Sequence, residues 1–177
     1  YNGSAFLGVG YESSNSLEPV MLSNWAVSPS RTFNNGDVIT FYSRRINFTP
    51  VFPDRLEVRM SSAGNSIYTG FSAENTGDFN TLLLSINPDL TSTGYPSEWT
   101  QYTVIISGLN GTVNGRIAFR YFVPDGGPGG SNSNYIGIDS FTYYSSLSAP
   151  ENDECETAIE LNHAVSCNPE TGSLQVA

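Results

Sequence analysis

Short strand-like runs separated by glycine-containing turns dominate the sequence, and this punctuation constrains the fold more than any other feature. The dipeptides at 35–36, 110–111 and 114–115 are all Asn-Gly, which supplies the positive φ angles of tight hairpin turns. No stretch between the turns has sustained helical periodicity, whereas about eight runs have strand composition. These runs cover residues 5–11, 25–27, 37–44, 55–61, 81–86, 99–107, 115–123 and 135–144. Many short strands without helices predict an all-β sandwich or barrel.

The run 55–61 has the clearest two-residue alternation. Its apolar residues Leu56, Val58 and Met60 point to one side and its charged residues point to the other. This pattern predicts a strand with one face in solvent. Three longer runs are apolar on both faces, which predicts central strands of packed sheets; they are 37–44, 99–107 and 115–123.

The charge balance excludes several classes of function. The 177 residues include 17 acidic and 7 basic side chains, so the net charge is −10, and every basic residue is an arginine. Without lysine there is no Schiff-base chemistry and no phosphate-loop lysine. The negative charge argues against nucleic acid or an anionic membrane as a partner. No apolar run approaches the ~18 residues of a membrane span, and the low charged fraction of 14% is typical of a secreted or cell-surface β-protein.

A domain boundary is predicted near residues 148–150, where composition changes. Residues 1–148 form the predicted β-domain, and residues 149–177 form a linker and the start of a further, truncated domain. The segment 151–177 carries six acidic residues, no basic residue and both cysteines. In a secreted chain Cys155 and Cys167 are expected to pair in a disulfide, with a metal site as the alternative.

Candidate catalytic residues are few. His163 is the single histidine and lies beyond the predicted boundary, so a nucleophilic triad would have to span two units. A pair of carboxylates for glycoside hydrolysis stays open, because separation in sequence says nothing about separation in space. None of the available glutamates lies in an apolar strand context that would raise its pKa; they are Glu12, Glu18, Glu57, Glu74 and Glu98. The sequence therefore favours a non-catalytic domain.

Asp139 is the most informative acidic residue. Apolar residues alternate at Ile136 and Ile138 and then shift by one position to Phe141 and Tyr143. Such a shift within a strand predicts a β-bulge, and bulges redirect side chains near functional sites. An acid in this apolar strand is expected to be buried and to need a partner. Calcium, an arginine or backbone donors could each be that partner.

Aromatic residues near strand ends are the remaining candidates for a ligand site. Tyr95, Trp99 and Tyr135 are the candidate ligand-binding residues, because an exposed ring at a strand end can stack on a sugar. Packing in the core is the alternative for each of them.

Several motifs, taken in order, resemble one family of extracellular domains. The segments 24–29 (Asn-Trp-Ala-Val-Ser-Pro) and 36–44 resemble a strand-containing segment of cleaved-adhesin and choice-of-anchor J domains. Residues 116–121 (Arg-Ile-Ala-Phe-Arg-Tyr) match a later strand, and residues 136–141 (Ile-Gly-Ile-Asp-Ser-Phe) match an ending shared with MAM-like jelly rolls. In that family an opening strand precedes the segment that matches residues 2–5.

The resemblance implies a jelly-roll β-sandwich of two antiparallel sheets, of the gingipain-adhesin type, that lacks its first strand here. It implies a calcium-stabilised adhesion module within a large secreted or cell-surface protein exported by the type IX route. Of the family's calcium ligands, only Asp139 is carried over, because the second acid of the ending is Ser140 here. The expected partners are an extracellular protein or glycan and neighbouring domains of the same polypeptide. A carbohydrate-binding module attached to a glycoside hydrolase or protease is the alternative function.

Overall fold

The computed structural model describes residues 4–146, and these residues form a β-sandwich. The chain divides into one unit over Tyr1–Leu147 and another over Ser148–Ala177, and the second lies outside the described residues. Residues 4–146, all within the first unit, contain nine strands and one short 3₁₀ turn, Tyr11–Ser13. The strands are β1 (Leu7–Gly10), β2 (Val20–Val27), β3 (Arg31–Phe33), β4 (Val38–Arg45), β5 (Leu56–Ser61), β6 (Thr81–Ile86), β7 (Thr100–Ile105), β8 (Val113–Gly126) and β9 (Tyr135–Tyr144).

The strands pair antiparallel in two sheets, as the sequence predicts. Sheet A has the order β1-β9-β4-β7, and sheet B has the order β2-β8-β5-β6, with β3 pairing with one end of β8. Apart from β3, this is the eight-strand order of a jelly roll, in which the first strand lies beside the last. The jelly-roll prediction is confirmed. An additional opening strand before Tyr1 stays a prediction.

Each of the eight predicted runs overlaps a strand of the structure. The strand β3 was not predicted, because Phe33 is its only large apolar residue and three residues give too short a pattern. The prediction that 99–107 forms a central strand is wrong: β7 lies at the edge of sheet A, and most of its residues are exposed.

The core lies between the two sheets and is built from alternating inward-facing residues. Along β4, Ile39 and Phe41 are fully buried, and along β9, Ile136 and Ile138 are buried in the same way. Facing residues come from the central strands of sheet B, among them Leu56, Val58, Met60, Ile117 and Val123. Burial of one apolar face from each sheet fixes the register, because a one-residue slip would expose the whole set.

The predicted bulge is present in β9. The register with β4 shifts between the pairs Thr40–Thr142 and Tyr42–Asp139. Ser140 takes a φ of 51°, which is in the left-handed region. The bulge therefore explains why the apolar alternation shifts from even to odd positions after Ile138, because the extra residue returns Phe141 and Tyr143 to the core face.

The predicted solvent-facing side of β5 is wrong, because the connection between β5 and β6 covers it. Glu57 and Arg120 are each 1% exposed on this outer face of sheet B. The backbone carbonyls of Ala73 and Phe79 in that connection accept hydrogen bonds from Arg120 and Arg59 respectively. Phe79 itself is fully buried against Trp25.

None of the described segments contains a helix of the length and hydrophobicity needed to cross a membrane.

Candidate functional site

A row of residues on the outer face of sheet A forms the floor of the candidate site. Gly8 of β1 pairs with Gly137 of β9, and Gly137 pairs in turn with Arg44 of β4. Trp99 continues this row on the other side of β4. It directly precedes Thr100, which pairs with Ser43, so Trp99 lies beside Arg44. The two adjacent glycines leave the backbone of the sheet uncovered by their own side chains.

Aromatic rings from three separate segments lie on this glycine floor. Phe6 meets Trp99 edge to face, with ring centroids 5.3 Å apart, and meets Tyr135 at 6.5 Å. A Cβ atom at Gly137 would lie 2.8 Å from ring atoms of both Phe6 and Trp99, and one at Gly8 would collide with the hydroxyl of Tyr135. The rings can therefore rest against the sheet only because glycine occupies both positions.

The rings remain accessible to solvent. Phe6 is 45% exposed and Tyr135 is 40% exposed, and Trp99 is half-buried. The guanidinium of Arg44 lies 5.1 Å from the Trp99 ring in a cation–π contact. We call Phe6, Arg44, Trp99 and Tyr135 the aromatic face.

A groove of about 790 Å³ continues from the aromatic face at the end of the sandwich. Its walls are β1 with the following 3₁₀ turn, the segment 46–52 and the loop 127–134. Apolar side chains provide much of the lining, and these are Val9, Tyr11, Ile46, Phe48, Phe52, Pro128 and Tyr135. Polar groups at Glu12, Ser13, Ser133 and Asn134 line the rest. We call this the end groove.

Hydrogen bonds fix the walls of the end groove to one another. The backbone N–H of Tyr11 donates to the carbonyl of Asn134 at 2.8 Å, and that of Ile46 donates to the carbonyl of Tyr135 at 2.9 Å. The N–H of Gly127 donates to the Ser133 hydroxyl at 2.9 Å. The groove is thus preformed from three segments that are distant in sequence.

Two of the three predicted ligand-binding residues lie in this region, and the third does not. Trp99 and Tyr135 belong to the aromatic face, whereas Tyr95 is only 2% exposed. The Tyr95 hydroxyl lies 2.6 Å from the Ser43 hydroxyl, which in turn donates to the carbonyl of Gly137. Burial raises the pKa of Tyr95 well above its ordinary value. Its ring supports the floor from inside, as the core-packing alternative expects, and a role in direct ligand contact stays a prediction.

Asp139 lies beside the bulge but is half-buried rather than buried. Its Oδ1 accepts a hydrogen bond from the backbone N–H of Ser140 at 2.6 Å, so a backbone donor is one partner, as the sequence left open. The adjoining cavity of about 460 Å³ is lined mostly by apolar residues, including Phe119 and Phe141.

Asp54, not identified from the sequence, is the buried acid nearest the end groove. Its Oδ1 accepts hydrogen bonds from the Tyr121 hydroxyl at 2.6 Å and from the backbone N–H of Asn134 at 2.8 Å. Its Oδ2 is buried and has no partner among the described residues. Burial raises the pKa of Asp54 above its ordinary value, although these hydrogen bonds and the charge of Arg45 act in the opposite direction.

Solved structures provide the comparison for this architecture. The chain is similar to cleaved adhesin domains. The K1 and K3 cleaved adhesin domains of Lys-gingipain from Porphyromonas gingivalis W83 have 18% and 21% sequence identity to it, with TM-scores of 0.43 and 0.46. For each of these two, the similarity covers 70% of this chain and only 64% of the other. The K2 domain of Lys-gingipain has 18% identity and a TM-score of 0.45, with coverage of 82% and 74%.

No protein-family model matches the chain, and no curated protein matches it.

The sequence reasoning missed Phe6, Arg44 and the end groove. One signal was present: Gly137 stands between Ile136 and Ile138 in a strand, and an outward-facing glycine there indicates a close approach by other groups. The predicted Cys155–Cys167 disulfide and the isolated His163 lie outside the described residues.

Proposed function

We propose that this domain is a non-catalytic adhesion module of a larger secreted or cell-surface protein, exported by the type IX route, and that the aromatic face contacts its ligand. The observation that supports it is the convergence of Phe6, Trp99 and Tyr135 on a glycine floor, where Phe6 and Tyr135 are exposed and Trp99 is half-buried. Exposed aromatic rings beside an arginine have the composition of a binding surface. Burial of these rings on binding would supply the driving force.

The fully buried carboxylates favour a binding role over catalysis, because each has a structural partner. Glu57 accepts hydrogen bonds from three arginines. Asp37 accepts from the backbone N–H groups of Asn34 and Ser146 and from the Tyr143 hydroxyl. Asp54 accepts from Tyr121 and Asn134, and none of the three lines the end groove.

Calcium stabilisation through Asp139 is part of the proposal and rests on the family resemblance. The described donors around Asp139 are the Ser140 N–H and hydroxyl, and no group of three or more histidine, cysteine or acidic side chains occurs among residues 4–146. Calcium takes six to eight oxygen ligands, so the Asp139 carboxylate and the Ser140 hydroxyl alone do not make a complete site. A melting temperature that falls on chelation in the natural chain, but not in Asp139→Asn, would support the ion; an unchanged one would overturn it.

Adhesion is tested by biolayer interferometry of the full chain on surfaces coated with fibronectin, collagen or mucin. The double variant Phe6→Ala/Trp99→Ala is expected to lose about tenfold or more in affinity. Phe71→Ala is the matched control, because it removes a ring that is 93% exposed and does not belong to the aromatic face. Equal adhesion by all three proteins, or none by the natural chain, would contradict the proposal.

A further inference from the structure

We infer that the aromatic face and the end groove form one continuous site for a neutral oligosaccharide. This inference rests on the proposed binding function and names its ligand class. The aromatic face supplies a plate for one sugar ring, and the end groove supplies a channel for the sugars that follow.

Tyr135 makes the two regions continuous. Its ring is part of the aromatic face through its contact with Phe6 and is also part of the groove lining. Gly8, which lies beneath the Tyr135 hydroxyl, also lines the groove. A ligand seated on Phe6 and Trp99 would therefore pass over Tyr135 into the groove without crossing a barrier of side chains at Gly8.

The chemistry of the surface matches that of a pyranose chain. A pyranose ring has faces of C–H groups and a rim of hydroxyls, so it needs apolar plates together with hydrogen-bonding groups at their edges. The apolar plates are Phe6, Trp99 and Tyr135, followed by Tyr11, Phe48 and Phe52 in the groove. Burial of the sugar C–H groups against these rings is favourable only if the sugar hydroxyls find partners.

Such partners are available at the edges of the rings. The Arg44 guanidinium, the Tyr135 hydroxyl and the Asn134 side-chain amide make no hydrogen bond with the described residues, although each lies at the face or in the groove. Arginine and amide groups donate in fixed directions, and the amide and phenol also accept. These three groups can therefore read the hydroxyl pattern of a sugar.

The dimensions and charge favour a neutral chain of several sugars. A volume of about 790 Å³ lies within the 300–1,000 Å³ range typical of small-ligand sites, and the aromatic face extends it. Residues 4–146 carry 11 acidic and 7 basic side chains, a net charge of −4, and Glu12 lies in the groove, so a polyanionic glycan would be repelled. Affinity should consequently increase from monosaccharide to hexasaccharide, because only the longer ligands reach both regions.

Tryptophan fluorescence provides a direct test, because the chain has only two tryptophans. Trp25 lies on the outer face of sheet B against Phe79, so Trp25→Phe leaves Trp99 as the sole reporter. The full chain with this substitution is titrated with cello-, xylo-, manno- and chito-oligosaccharides of one to six sugars. At least one series is expected to change the Trp99 emission, with hexasaccharide affinity about tenfold or more above that of the monosaccharide.

Variants then locate the site. Tyr135→Ala, at the junction, is expected to abolish the dependence on chain length, and Phe48→Ala to weaken only the longer ligands. Phe71→Ala should change neither, and each variant is compared with its parent by thermal melting to confirm folding.

Two results would overturn the inference. One is that none of the four oligosaccharide series changes the Trp99 emission or gives a heat of binding in isothermal titration calorimetry. The other is that the protein binds a monosaccharide and its longer oligosaccharides with the same affinity. If the chain still adheres to fibronectin or collagen through Trp99 in that case, the ligand is protein and the binding function stands. If it adheres to no surface, both proposals fail.

Discussion

The outer faces of the two sheets have opposite characters, although both are built from central strands with alternating side chains. On sheet B, Glu57 lies under the β5–β6 connection with Arg55, Arg59 and Arg120, and the nearest of these N–O distances is 2.6 Å. On the outer face of sheet A, the paired residues Gly8 and Gly137 carry no side chains. The rings of Phe6 and Tyr135 that lie above them are exposed to solvent. The outer face of sheet B is covered by the β5–β6 connection, whereas the outer face of sheet A leaves apolar surface exposed that a ligand can cover.

This difference separates stability from recognition in the molecule. A buried cluster of charges is costly to disrupt, because any unpaired charge keeps its desolvation penalty. An exposed ring contributes little to folding, because much of its surface is in water before and after unfolding. We therefore expect substitutions on sheet B to lower the free energy of unfolding, and substitutions on the aromatic face to lower affinity.

Glu57→Gln should produce the largest loss of stability. Burial alone would raise the pKa of Glu57, but the hydrogen bond and charge of Arg59 and the charges of Arg55 and Arg120 hold that pKa below its ordinary value. Loss of the carboxylate leaves three arginines without a counter-charge, which is expected to lower the free energy of unfolding by about 3–5 kcal/mol. Urea denaturation at neutral pH measures this loss.

The pH dependence of this variant sharpens the result. Because the pKa of Glu57 is depressed by folding, its stabilisation is present above the unfolded pKa and is lost as pH falls through the folded value. The difference between Glu57→Gln and the natural chain should therefore shrink in acid. Glu98→Gln, at an exposed position before β7, is the control and should be neutral. If Glu57→Gln lowers the free energy of unfolding by less than about 1 kcal/mol, Glu57 behaves as a surface ion-pair residue. That result would contradict the covering of the outer face of sheet B by the β5–β6 connection.

Gly137→Ala is expected to have the next largest effect and to act on both properties. The added Cβ would lie 2.8 Å from the Phe6 and Trp99 rings, so these rings must move off the floor. Overpacking of this kind costs about 1–3 kcal/mol, and adhesion should fall with it. Denaturation and interferometry on the same sample check the two effects. Unchanged adhesion would show that the glycine floor does not position the ligand.

The strands could be predicted from the sequence because their signals are local. The alternation at Leu56, Val58 and Met60 identified β5, and the shift after Ile138 identified the bulge at Ser140. These patterns depend only on residues that are close together in sequence, so they can be recognised without knowledge of the tertiary structure.

The environment of the outer faces could not be predicted, because it depends on contacts between distant segments. The alternating charges of β5 are compatible with exposure to solvent and also with burial under a loop. The structure shows that a loop covers them, because the carbonyls of Ala73 and Phe79 accept hydrogen bonds from Arg120 and Arg59. Trp99 and Tyr135 were found through their positions at strand ends. Phe6 joins them only because β1 lies beside β9 in the sheet order, which local patterns do not contain.

Asp54→Asn tests the second type of buried carboxylate, one whose hydrogen-bond donors are neutral groups rather than arginines. Because folding raises the pKa of Asp54, its contribution to stability is full below the ordinary aspartate value of 3.8 and is lost as pH rises through the folded pKa. The variant avoids that loss, so its stability relative to the natural chain should rise with pH. Urea denaturation from about pH 3 to about pH 8 measures this, and a trend of the opposite sign would show that the arginine charge dominates.

Phe71→Ser should have the smallest effect of these substitutions on both stability and binding. Phe71 is 93% exposed in the β5–β6 connection and contacts Tyr68 edge to face at 5.2 Å. Because its surface is already in water, the free energy of unfolding should change by less than about 0.5 kcal/mol. Adhesion and oligosaccharide binding should also stay unchanged, because Phe71 belongs neither to the aromatic face nor to the end groove. Loss of adhesion in this variant would mean that the closed face of sheet B also contacts a ligand, and that recognition does not belong to sheet A alone.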